Sequence, residues 1–91
     1  STPQHIAKSL SLLSQRAKEL GYFDLQLEWA TWAAEFAPDD SRALAHVADA
    51  LIQAGRYMEA EDALDKTAAA GDPAFALNGK ARILRATGQL D

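Results

Sequence analysis

Apolar residues recur along this chain at helical spacing, in runs punctuated by glycine and proline. In the first run Ile6, Leu10, Leu13, Ala17 and Leu20 follow one another three or four residues apart until Gly21 ends the series. Thr2-Pro3, just ahead, supplies a cap and a favoured first helical residue. Asp24 can cap a second helix, which carries Leu25, Leu27, Trp29, Trp32, Ala33, Phe36 and Ala37 up to Pro38, a residue that cannot continue it. Asp39-Asp40-Ser41 offers caps for a third, whose stripe is Leu44, Val47, Ala48, Leu51 and Ile52 and whose stop is Gly55. A fourth runs from about Tyr57 to Ala70, with Ala60, Ala63, Leu64 and Ala68 turned inward. Gly71-Asp72-Pro73 stops it and starts a fifth, which carries Leu77, Ala81, Ile83 and Leu84 before Thr87-Gly88. The pattern predicts an all-α chain of five helices with no strand, in which the glycines end helices.

The punctuation is periodic. Gly21, Gly55 and Gly88 lie 34 and 33 residues apart. A period of this length with helical patterning on both sides of each glycine predicts antiparallel helix–turn–helix repeats stacked as an α–α superhelix, because no single unit can bury its apolar face alone. Eleven residues before each glycine stands a leucine, Leu10, Leu44 or Leu77, and four before it Ala17, Leu51 or Leu84. On these residues the chain resembles the tetratricopeptide-repeat family. Two residues after the glycine, where that family favours tyrosine, come Phe23, Tyr57 and Leu90; five after, where it favours alanine, come Gln26 and Ala60. The chain departs from the family at Thr67, which takes the place held by Ala33, at Lys80, which stands where leucine is expected, and at Pro73, one residue later than Pro38. The resemblance covers essentially the whole chain as a single domain, 1–91, with a first repeat at about 4–38, a second at about 41–72 and a partial third at about 73–91. The unfinished third repeat suggests a fragment of a longer protein.

Composition narrows the function classes. At 48% hydrophobic and 24% charged residues the chain has too much apolar material to be disordered. No apolar run approaches the ~20 residues of a membrane span, and the amino end lacks the continuous apolar stretch of a signal peptide. The expectation is a soluble protein without membrane insertion, cytoplasmic by default, with a periplasmic place or a place in a larger assembly left open. The absence of cysteine removes disulfides, thiolate catalysis and cysteine-based zinc sites. A net charge of −4 argues against nucleic-acid binding. No nucleophile, base and metal ligands fall into a catalytic pattern: His46 and Asp49, three apart on the third helix, can share a face but lack a third ligand. No enzyme activity, metal or cofactor is expected.

The distribution of charge is more informative than its sum. The first, third and fifth helices carry seven cations, Lys8, Arg16, Lys18, Arg42, Lys80, Arg82 and Arg85, against Glu19 and Asp49. The second and fourth carry only Lys66 against seven carboxylates, Asp24, Glu28, Glu35, Glu59, Glu61, Asp62 and Asp65. The resemblance implies that the odd-numbered helices line a concave groove. Its usual groove positions fall on Lys8, Gln15 and Lys18, on Arg42, His46 and Asp49, and on Asn78, Arg82 and Arg85. A groove of cations favours an acidic peptide or a free carboxylate. The family's carboxylate clamp, which joins lysine with asparagine on the first two groove helices, is not supported, since neither helix has an asparagine. The leading expectation is a protein–protein interaction scaffold that binds a partner peptide or domain in this groove. The alternative is a structural or self-associating module, built on an apolar stripe of Leu25, Trp29, Trp32 and Phe36 whose counterparts in the second repeat are Glu59, Ala63, Lys66 and Ala70.

Overall fold

A computed structural model of the chain describes residues 2–89. Within them lie five helices and no strand: α1 (Pro3–Glu19), α2 (Phe23–Phe36), α3 (Ser41–Gln53), α4 (Tyr57–Ala69) and α5 (Pro73–Ala86). Leu90, which aligns with Phe23 and Tyr57, falls outside the described residues.

Local chemistry sets the helix ends. The Thr2 hydroxyl accepts a hydrogen bond from the His5 amide at 3.2 Å, Asp40 from the Arg42 amide at 2.9 Å and Asp72 from the Phe75 amide at 3.1 Å. Each satisfies an amide that the first helical turn leaves without a partner. Asp24 is not a cap: α2 starts at Phe23 without a side-chain cap, so Asp24 sits inside the first turn, where its charge faces the positive end of the helix dipole. At the other ends Gly21 and Gly55 turn the chain with φ of +81° and +76°, a conformation that a side chain resists. The amides of Tyr22 and Arg56 then reach back to the carbonyls of Ala17 and Leu51 at 2.8 and 2.9 Å, closing both helices in the same way. Gly79 departs from the expected pattern. It lies inside α5, where an added Cβ would come 2.5 Å from Leu64 Cδ2, so it is the closeness of α5 to α4 that requires glycine there.

Sequential helices pack as antiparallel neighbours, and α3 touches all four others. The odd-numbered helices also contact one another in sequence, α1 with α3 and α3 with α5, whereas α2 and α4 do not touch. The result is an elongated stack of 46 × 28 × 17 Å with the odd helices along one side and the even helices along the other. Its interior is built largely of small residues. Ala7, Ala33, Ala37 and Ala43 form one cluster, and Ala48, Leu51, Ile52, Ala60, Ala63, Leu64, Ala76 and Ile83 the other.

α1 does not bury the leucine stripe that its spacing suggests. Its buried residues are Ala7, Ser11, Ser14 and Ala17, while Leu13 and Leu20 are about half exposed. Close approach to α2, which presents Ala30 and Ala33, admits only small side chains at the contact. The leucines are displaced to the edge. Leu77 of α5 is likewise exposed, on a flank that no described helix covers.

Candidate functional site

Asp49 sits in the third turn of α3, the helix that all others touch, and only 5% of its surface is exposed. An isolated carboxylate in such a place would be costly. Four side chains from four helices meet it: Lys18 of α1 places its ammonium 3.0 Å from Oδ2, the amides of Gln26 on α2 and Gln53 on α3 each donate to Oδ2 at 2.8 Å, and Arg82 of α5 donates to Oδ1 at 2.9 Å. Burial pushes the Asp49 carboxyl up, but the hydrogen bonds from Arg82, Gln26 and Lys18, with the Lys18 charge, outweigh it and hold the group below the ordinary carboxylate value. It therefore remains charged at neutral pH.

Gln26 is the residue that sequence reasoning passed over. It is fully buried, its amide nitrogen serves Asp49, and its backbone carbonyl accepts from the buried Ser14 hydroxyl at 2.8 Å. The signal was its place in the repeat, five residues after Gly21, where the second repeat has Ala60 five after Gly55. A polar side chain in a small-residue position requires a buried partner.

Around this carboxylate the side formed by the odd-numbered helices opens into a cavity of ≈ 430 Å³, lined by Gln15, Lys18, Ser41, Arg42, Ala45, His46, Asp49, Asp72, Phe75 and Arg82. Six of the nine groove candidates thus meet in one place. Lys8, Asn78 and Arg85 do not line it: Lys8 lies exposed two turns before Gln15, and Asn78 and Arg85 lie exposed one turn before and one turn after Arg82. The cations of the cavity are not equivalent. Lys18 and Arg82 are committed to Asp49, although about 40% of each side chain stays exposed, whereas Arg42 makes no ion pair among the described residues. Lys18 and Arg82 thus line the cavity with part of their charge already engaged within the chain. Three cations still face two carboxylates, Asp49 and Asp72, and Asp72 is engaged as the cap of α5.

His46 lies between them, partly buried. Burial pushes its pKa below the ordinary 6.5; Asp49 and Asp40 pull the other way, but Lys18 and Arg42 add to the lowering. The ring is neutral at pH 7 and can both donate and accept a hydrogen bond. Among the described residues no three His, Cys, Asp or Glu side chains are grouped so as to hold a metal, and no helix is long and apolar enough to cross a membrane.

The stripe on α2 lies on a different surface. Trp32 is 47% exposed, Leu25 and Phe36 are exposed to a similar degree, and Trp29 is half-buried. By helical phase they occupy the flank of the α1–α2 hairpin opposite the one that α3 covers, together with Leu13 and Leu20 of α1. No protein-family model matches the chain, and no curated protein matches it.

Proposed function

We propose that this chain is a protein-binding array of the tetratricopeptide-repeat kind, which holds a carboxylate-bearing peptide on its concave face. The observation that carries this reading is the Asp49 anchor. By holding the Lys18 ammonium at 3.0 Å and the Arg82 guanidinium at 2.9 Å, the buried carboxylate fixes two flexible cations at the edge of the cavity, with the rest of each head group open to it. Fixing them in advance removes part of the ordering cost that a ligand would otherwise bear. Arg42 and neutral His46 on α3 complete a concave surface with a surplus of donors. A carboxylate could be gripped there by Arg42 in two parallel hydrogen bonds.

The test is a comparison of one acidic peptide with a free carboxyl end and the same peptide amidated, by calorimetry at two salt concentrations. The free acid should bind more tightly, less so in high salt, and Arg42→Glu should weaken it at least about tenfold while the helical spectrum stays unchanged. Equal binding to the parent chain and to Arg42→Glu would end the proposal. Arg82→Glu is a poor probe, because it sets a second carboxylate against Asp49 and attacks the fold as well as the site.

A second reading, a self-associating or bracing module, is favoured by the half-exposed Trp32 at the centre of the α2 stripe. Sedimentation over a range of concentrations decides it. Parent oligomers that Trp32→Glu dissociates without loss of helix would support it, and a concentration-independent parent monomer would refute self-association.

A further inference from the structure

On the side of the even-numbered helices α2 and α4 stand apart without contact, and the gap between them reaches down to α3. Leu44, Val47 and Leu51, one face of α3 at helical spacing, form its floor. Ala34 on α2 and Ala63 on α4 form walls that are low because both residues are small. The crevice measures ≈ 720 Å³, larger than the concave site, and Met58, 87% exposed, hangs at its lip. Methionine adapts its shape to what it meets.

The walls carry a surplus of negative charge. Glu35 from α2, and Glu59 and Asp62 from α4, line the crevice against Lys66 alone. Lys66 is paired with Asp62 at 3.1 Å and Glu59 with Arg56 at 2.7 Å, but Glu35 makes no ion pair among the described residues, and α2 has no cation at all. An apolar floor between walls of net negative charge, with Glu35 left unpaired among the described residues, fits a helix that presents aliphatic side chains downward and cations beside them. We propose that this crevice is a docking site for a basic amphipathic helix of a partner protein, separate from the concave site. Helix-in-groove recognition uses apolar anchors at i, i+3 or i+4 and i+7, the spacing that the floor itself presents. The α4 residues that line it, from Met58 to Lys66, span about 12 Å, room for roughly two turns of such a helix. The even helices of a second copy are as acidic as these walls and would be repelled by them.

The experiment uses a fluorescent peptide of about 14 residues, leucine on one helical face and lysine elsewhere, with blocked ends. Two control peptides accompany it, one with the same residues scrambled so that no face forms and one with glutamate in place of lysine. Anisotropy should show saturable binding of the patterned basic peptide, with both controls at least about tenfold weaker. Glu35→Lys combined with Asp62→Lys should weaken it by a similar factor, and Met58→Ser by a smaller one; all three positions are exposed, so the fold is retained. Amide shifts on titration should centre on Ala34, Val47 and Met58. Equal binding of the scrambled peptide, no loss in the charge-reversed variant, or shifts centred on Lys18 and His46 would each overturn the proposal.

Discussion

Replacing Asp49 by alanine tests whether one buried carboxylate holds four helices together. Complete removal of one partner of a fully buried ion pair costs roughly 3–5 kcal/mol, but Lys18 and Arg82 are about 40% exposed and can turn to water, so each pair contributes at most about 1 kcal/mol here. The larger loss falls on Gln26. Its side chain is fully buried, its amide oxygen already has no partner, and without Asp49 its amide nitrogen has none either. Leaving such a donor unsatisfied costs about 1–3 kcal/mol. Together these give a destabilisation of about 3 kcal/mol, against a total stability of roughly 5–14 kcal/mol for a chain of this length. At about 4–8 °C per kcal/mol the melting temperature should fall by roughly 12–24 °C, read by circular dichroism at 222 nm alongside urea titration. Gln26→Ala added to Asp49→Ala should recover about 1–2 kcal/mol, because removing both partners of a buried hydrogen bond costs less than removing one. An Asp49→Ala protein within 1 kcal/mol of the parent, or a double variant less stable than Asp49→Ala, would refute the reasoning.

Two glycines should fail for different reasons. Gly55→Ala, with nothing within 4 Å of its added Cβ but φ at +76°, should lose about 1 kcal/mol to backbone strain, and Gly55→Asn should lose less. Gly79→Ala gains helix propensity of about 1 kcal/mol, yet its Cβ meets the fully buried Leu64, and overpacking of about 1–3 kcal/mol should leave it net destabilised in urea titration; a more stable protein would show that Leu64 can yield. The two shifted groups of the concave site set a pH dependence. His46, whose folded pKa lies below 6.5, should contribute fully above that value and less as pH falls through it, so His46→Gln should flatten the stability curve between pH 7.5 and 5.5. Asp49, whose folded pKa lies below 3.8, should keep its contribution down to about pH 4 and lose it as pH falls further, a loss that Asp49→Ala should not show.

The five helices were legible because each boundary is set within a few residues: the capping oxygens of Thr2, Asp40 and Asp72 and the left-handed glycines act locally. What was not legible depends on neighbours. Helical spacing put Ala17 on the buried face of α1, but could not show that Ala7, Ser11 and Ser14 take the inner positions beside it while Leu13 and Leu20 stay half exposed, because how closely two helices approach is a joint property of both. The same holds for Gly79, a glycine that looks like any other until Leu64 is set against it. Charge was harder still. Assigning cations to the odd helices and carboxylates to the even ones separated the charges by sign, yet one of the two acids on the odd helices, Asp49, proved to be the residue around which the site is organised. Lys18 and Arg82 stand 64 positions apart in sequence, and only the stacking of α1 and α5 on opposite flanks of α3 brings both to one carboxylate. The acid spends part of their charge on holding the repeats together and, in the same contact, fixes where the remainder points.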